Sequence, residues 1–374
     1  MSQLSSTHTP LIRPIHGGNL AWAAAIAGCS PDSLLDFSAS ISPLGPPGTV
    51  VQAMATALEQ LSHYPDPQYT ALRRALADHH RVAIDWVLPG NGAAELLTWA
   101  ARDVAADVAA TGALGGCYLL TPAFGDYSRA FNAVGVPLYP WPLPLAQPTN
   151  PFLGLAEAWP APEGASLLVN NPHNPTGALF SIDWLEPLLE RFATVIVDEA
   201  FMDFVPPDRQ QSLIGHLDRY PNLVILRSLT KFYTLPGLRI GYALGHPDRL
   251  ARWQRWRDPW PVNVLAAAAA IAAVQDTEFQ TRTWRWLPPA RQALFDGLRQ
   301  MPGLSPLAGA ANYLLVKTNR SATALQAHLL RRDRVLIRDC LSFAELGDGY
   351  FRVAVRGSSE NERLLTALTQ AMEV

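Results

Sequence analysis

The chain has 374 residues, of which 49% are hydrophobic and 16% charged, so it can bury a large core and has room for one big domain with a smaller one beside it. A formal net charge of -3 and a pI near 6.3, with no Lys/Arg-rich block, give no footprint for nucleic acid and point to a small-molecule partner. The three cysteines, Cys29, Cys117 and Cys340, lie far apart without C-x-x-C spacing, which argues against a disulfide framework or a zinc site and fits a reducing cytoplasm.

In chain order, Met1 to Thr7 are polar and lack the charged head and apolar stretch of a secretion signal. His16-Gly17-Gly18-Asn19 follows as a glycine-rich turn. A helical pattern covers 68–80, with His79 and His80 closing a surface helix, and a second covers 93–109. The turn into that second helix, Pro89-Gly90-Asn91-Gly92-Ala93-Ala94, offers free amides and a positive dipole end suited to a phosphate. Segments 117–120, 166–169, 194–197, 223–226 and 240–244 read as buried strands, because their apolar residues run continuously instead of alternating. A helix is expected over 183–192, and the Pro-rich tract 137–162, with Trp141 and Trp159, as an excursion over the surface. Alternating strands and helices predict an α/β domain with a mostly parallel sheet, and the segments around Lys231 are close enough to include an antiparallel strand. The Ala-rich run 264–274 is too short to span a bilayer and reads as a buried helix, with Trp253, Trp256 and Trp260 as packing or dimer contacts. Strands over 313–316, 335–338 and 350–355 and a helix over 359–372 form a smaller α+β unit. The expected division is 1–45 as an N-terminal arm and part of the small domain, 46–275 as the large domain and 276–374 as the small domain.

Chemistry concentrates in the run from Arg227 to Gly241. Lys231, an amine able to form a Schiff base, has the hydroxyl of Ser228 three residues before it and the guanidinium of Arg239 eight residues after it. That grouping suits an aldehyde cofactor carrying a phosphate, and pyridoxal phosphate is the candidate. Asn171-Pro172-His173-Asn174-Pro175-Thr176-Gly177 follows a strand, and its doubled Asn-Pro steps limit the chain so that the Asn174 amide can be held in one orientation. The strand 195–197 delivers Asp198 and Glu199 at its end. A buried acid there needs a cation, and a protonated pyridine nitrogen supplies one. No phosphate-binding Gly-x-x-x-x-Gly-Lys loop precedes the pair, which removes the main support for a nucleotide hydrolase.

In this order, glycine turn, aromatic, Asn-Pro-Thr-Gly, Asp, Lys and Arg, the chain resembles fold type I pyridoxal phosphate enzymes over nearly its whole length. The resemblance implies a large cofactor-binding domain with a mostly parallel central sheet flanked by helices. It also implies that Lys231 carries the cofactor as a Schiff base, that Asp198 pairs with the pyridine nitrogen and that Asn174 donates to the ring hydroxyl. Ser228, Arg239 and the amides near Gly92, Ala93 and Ala94 would bind the phosphate, and Phe124 would stack on the ring. Tyr64, in His63-Tyr64-Pro65-Asp66, is similar to the tyrosine that reaches the neighbouring subunit's cofactor, which implies a homodimer.

Within that superfamily the chain resembles histidinol-phosphate aminotransferases and the L-threonine-O-3-phosphate decarboxylases of cobalamin biosynthesis. His16 to Asn19, Leu35-Asp36-Phe37-Ser38-Ala39 and Asp198-Glu199-Ala200-Phe201 lean to the decarboxylase. Aminotransferases of the group usually carry a tyrosine where Phe201 stands. The decarboxylase pattern has asparagine where this chain has Ser40 and Ser42, on the substrate side of the site. By the same resemblance Arg352 clamps the substrate carboxylate, and Arg338 and the His16-Gly17-Gly18-Asn19 turn are candidates for further substrate-anion contacts. The alternative for Arg338 is an ion pair with Asp339 or another acid. Decarboxylation of L-threonine O-3-phosphate to an aminopropanol phosphate is the first expectation. Amino transfer from histidinol phosphate or a related amino acid is the second, and a cofactor-binding regulator without turnover the third.

Overall fold

The strand Thr194–Asp198 and its neighbours show why the apolar runs are unbroken. Leu167 and Val169 face one hydrophobic core and Leu168 the other; Val195 and Val197 are likewise opposed to Ile196, and Leu223 and Ile225 to Val224 and Leu226. Each of these strands is buried on both faces, the pattern of a parallel sheet covered by helices. The structure, a computed structural model, describes residues 13–111, 115–145 and 164–373. Most of the Pro-rich tract, with Trp159, and the polar start at Met1 to Thr7 lie outside the described residues.

The strands are β1 (Leu35–Asp36), β2 (Val87–Gly90), β3 (Cys117–Thr121), β4 (Leu138–Pro142), β5 (Ser166–Asn170), β6 (Thr194–Asp198), β7 (Leu223–Ser228), β8 (Gly241–Gly245), β9 (Leu304–Pro306), β10 (Tyr313–Thr318), β11 (Val335–Leu336), β12 (Arg338–Asp339) and β13 (Tyr350–Ala354). Seven of them form one sheet in the order β2-β8-β7-β6-β5-β3-β4. Pairing is parallel except at β8, which runs against both β2 and β7, the reversed strand expected near Lys231. The Ala-rich run forms the helix Val264–Gln275, started by Asn263, whose side chain accepts from the Ala266 amide at 2.8 Å. Its small side chains let it lie against the helices Gly48–Ala57 and Thr70–His80.

The C-terminal part builds an antiparallel sheet in the order β12-β13-β10-β9. The strand expected over 335–338 is divided. Val335–Leu336 pairs in parallel with β1, and after buried Ile337 the chain leaves that ladder to pair with β13. The first strand is therefore joined in space to the last third of the chain. His80 also departs from a plain surface position: its Nε2 meets the Tyr242 hydroxyl at 2.6 Å, and burial pushes its pKa down.

Strand order fixes where a ligand can sit. From β3 the chain moves outward to β4, then returns to the other side of β3 as β5 and continues to β6 and β7. The direction reverses at β3 and β5, and the carboxyl ends of β3, β5, β6 and β7 open around that crevice.

Candidate active site

Each of those four strand ends delivers a side chain to one cavity of about 200 Å³. β6 supplies Asp198, and the turn after β7 supplies Lys231. Asn170 and Asn174 come from the end of β5, and Phe124 and Tyr127 from the segment after β3. Arg338 and Arg352 of the small sheet, with His16, Gly17 and residues 38–41, close the other side. Strand alternation sends the residues next to Asp198 and Ser228 the opposite way. There Glu199 and Arg227 form an almost wholly buried ion pair at 2.8 Å, and Arg227 also meets Asp203 at 2.5 Å. The ends of β6 and β7 are thus tied together behind the cavity.

Each oxygen of Asp198 accepts one hydrogen bond and keeps lone-pair capacity for another donor. Its Oδ1 accepts from the Ala200 amide at 3.0 Å and its Oδ2 from the Tyr127 hydroxyl at 2.7 Å. Burial raises its pKa, opposed by the charge of Lys231 and by these two donors. Lys231 Nζ lies 3.3 Å from Ser228 Oγ and 5.4 Å from the centre of the Phe201 ring. Burial lowers the lysine's pKa; Asp198 opposes this, and the positive charges of Arg239 and Arg352 add to it.

Beside Lys231 lies a cradle with cationic and amide donors. Gly92, at φ +81, is so close to Arg239 that a β-carbon would stand 2.7 Å from Nη2. At Gly241 a β-carbon would stand 2.8 Å from the Ala93 amide nitrogen, so only glycine leaves this approach open. Ala93 and Ala94 open the helix Ala93–Thr111, where first-turn amides have no intrahelical acceptor.

The Asn-Pro motif is held by the strands beneath it. The Asn174 amide donates to Asn170 Oδ1 at 2.5 Å, and Asn170 Nδ2 donates to the Asp198 carbonyl at 2.7 Å. Asn174 Oδ1 accepts from Arg352 Nη1 at 2.5 Å, and Arg352 Nη2 donates to the Ser38 carbonyl at 3.3 Å. The Arg352 guanidinium also lies 4.8 Å over the Tyr313 ring, while its buried Nε has no partner. Arg338 is the Cα partner of Arg352 across the β12–β13 ladder, so two guanidiniums stand side by side. Arg338 donates to Ser342 Oγ at 2.7 Å and to the Ile15 carbonyl. Asp339 does not pair with it: strand alternation turns that acid away, to Arg13 at 2.7 Å.

Of the expected residues, Ser228, Gly92, Ala93, Ala94 and Arg239 do not line this cavity but sit at or near the cradle beside it, whereas Tyr64, Gly18 and Asn19 belong to neither. Tyr64 is 78% exposed and stacks on Trp260 with ring centres 4.4 Å apart. Asn19 caps the helix Leu20–Ala27 by accepting from the Trp22 amide at 3.0 Å, and the Gly18 amide donates to Ser38 Oγ at 2.8 Å. Conversely, Tyr127, Asn170, Phe343 and Tyr313 were not singled out from the sequence. Tyr127 follows Phe124 closely and Asn170 directly precedes the Asn-Pro motif, but the Asp198 that both of them meet is remote in the chain. Phe343 and Tyr313 belong to the small unit, where no motif marks them.

The chain matches the model of the aminotransferase class I and II family over residues 32–368. It belongs to that family. The threonine-phosphate decarboxylase of Salmonella typhimurium is 40% identical to it over 367 residues, which are 97% of this chain and 98% of that protein. Histidinol-phosphate aminotransferase 2 of Nitrosospira multiformis is 30% identical over 374 residues, 99% of this chain and 92% of that protein. The crystal structure of L-threonine-O-3-phosphate decarboxylase from Porphyromonas gingivalis shares the fold, with a TM-score of 0.80 at 22% identity over 90% of this chain and 99% of that one. Pyridoxal phosphate goes with this family, and the residues present fit it. Lys231, Arg338 and Arg352 outnumber the one carboxylate lining the cavity, Asp198, and the charge of nearby Arg239 adds to them, so the site calls for anions. The glycine-cleared cradle has the cationic and amide donors that a phosphate would need, and Asp198 offers a buried carboxylate that a protonated ring nitrogen could pair with.

Proposed function

We propose that this chain is a homodimeric enzyme of the cytoplasm that decarboxylates L-threonine O-3-phosphate to (R)-1-amino-2-propanol O-2-phosphate, the step expected in cobalamin biosynthesis. The observation that carries the reading is the cross-strand pair Arg338 and Arg352. Like charges directly opposite on one face destabilise a sheet unless anions lie between or beside them. A substrate with a carboxylate and a phosphate supplies both. The 40% identity to a threonine-phosphate decarboxylase supports the same choice.

In this reading residues 46–275 form the cofactor-binding domain, and 1–45 and 276–374 make up the arm and small domain. Lys231 holds the cofactor covalently; Ser228, Arg239 and the amides of Ala93 and Ala94, opened by Gly92, hold its phosphate. Phe124 and Asn174 fix the ring, and Phe201 contributes an apolar wall where a hydroxyl would otherwise donate. Once bound, pyridoxal phosphate supplies a conjugated cationic ring that accepts the electron pair released at the substrate α-carbon. The charge of Asp198 stabilises the proton on the ring nitrogen. Arg352 would fix the substrate carboxylate, and the orientation it imposes would select which α-carbon bond is the labile one. Arg338 and His16 take the phosphate. Lys231, its amine held below the ordinary pKa by burial, is placed to return a proton to the α-carbon after carbon dioxide leaves. Exposed Tyr64 does not line its own cavity, which suits a role beside a second subunit's phosphate.

The test is incubation of protein and pyridoxal phosphate with L-threonine O-3-phosphate. Carbon dioxide released without a keto acid acceptor is the expected result. Turnover only with histidinol phosphate and a keto acid acceptor, with no gas, would overturn the decarboxylase in favour of amino transfer.

A further inference from the structure

We propose that Tyr127 is a positioning residue for Asp198, locking the carboxylate that serves the ring nitrogen to the aromatic Phe124 that covers the ring. The inference rests on the assignment of pyridoxal phosphate to this cavity. Tyr127 is 2% exposed, and its hydroxyl, 2.7 Å from Asp198 Oδ2, has no other acceptor among the described residues. The amide of Ala200 occupies the other oxygen at 3.0 Å, so the carboxylate is gripped at both ends and cannot rotate without losing a hydrogen bond. The same tyrosine presents its ring edge to Phe124, with centres 5.7 Å apart and planes at 85°, while the Phe124 carbonyl accepts from the Tyr127 amide at 3.1 Å. Two groups carried by different strands thereby share one rigid support.

The electrostatics agree in sign. Burial and then the charge of Asp198 push the Tyr127 hydroxyl well above its ordinary pKa, so it remains a donor. Burial raises the pKa of Asp198 and the charge of Asp126 adds to this, while Lys231, the Tyr127 hydroxyl and the Ala200 amide act the other way and favour the carboxylate. Phenylalanine at 127 would retain the ring packing and remove only the donor.

Cofactor binding separates this from a purely structural role. The Tyr127→Phe protein should keep its far-UV spectrum and lose only a few degrees of apo melting temperature, about the cost of one buried hydrogen bond. Its dissociation constant for pyridoxal phosphate, from titration of apoprotein followed by the visible absorption and circular dichroism of the bound cofactor, should rise about tenfold, as for a lost hydrogen bond to a charged group. In an Asp198→Ala background, where the hydroxyl has lost its acceptor, the same change should alter that constant by less than about twofold. An unchanged constant in the Tyr127→Phe protein, or the same loss in both backgrounds, would overturn the inference. If the unaltered chain takes up no cofactor, the reading beneath it fails instead.

Discussion

Replacing Arg338 with glutamine should leave the apoprotein about as stable as before while removing discrimination for a phosphorylated substrate. Two buried unit charges about 6 Å apart in a medium of effective dielectric about 20 repel by ~3 kcal/mol, which the substitution relieves. Arg338 also gives up its bonds to Ser342 and the Ile15 carbonyl, worth roughly 1.5 kcal/mol each for a charged donor, so the two effects nearly cancel. The melting temperature should therefore move by no more than about 3 °C. The substrate phosphate, by contrast, loses a charge-assisted pair worth roughly 3–4 kcal/mol, lowering kcat/KM for L-threonine O-3-phosphate by about 10²- to 10³-fold. L-Threonine, which lacks the phosphate, should change by less than about threefold. The assay is carbon dioxide release from each substrate across a concentration series, beside a thermal melt of the apoprotein. Equal losses for both substrates, or a drop of more than about 10 °C, would show that Arg338 holds the fold and does not read the phosphate.

Three other substitutions probe the cavity. Lys231→Ala should abolish the visible imine band once free cofactor is removed. It should also raise or preserve apo stability, since a buried amine is lost; a surviving band would refute the lysine's assignment. Asp198→Asn should retain the cofactor but slow turnover by more than about 100-fold, and near-normal rates would contradict the ring-nitrogen role. His173 is buried in the Asn-Pro motif, and burial depresses its pKa to about 3 from 6.5. Between those values the unfolded chain binds the extra proton, so stability should fall as pH drops below 6.5, by up to about 1.4 kcal/mol per pH unit. Denaturant titrations of the parent and His173→Asn proteins at several pH values should show a shallower slope for the variant; identical slopes would remove His173 from the account.

The legible parts of this protein are those written in consecutive residues. Continuous apolar runs marked β3, β5, β6, β7 and β8, because burial on both faces leaves no polar interruption. Lys231, Asp198 and Asn174 stand out because each lies in a short motif at a strand end. β4 was not legible: Leu-Tyr-Pro-Trp-Pro carries two prolines and exposed positions, tolerable only because β4 pairs on one side at the sheet edge. The helix Thr277–Arg299 passes through Pro288 and Pro289, which local rules read as a break. Tyr127 escaped notice because its partner is 71 positions away, and Arg338 opposite Arg352 because register is a tertiary property.

The parallel pairing of Leu35–Asp36 with Val335–Leu336, and the reach of Arg13 to Asp339 across 326 positions, join distant parts of the sequence next to His16 and Arg338, which line the cavity. The pocket is therefore complete only once synthesis has passed Arg352. Vitamin loading then becomes a late event in the life of each molecule, and prematurely terminated products would lack Arg352 and with it a closed binding chamber.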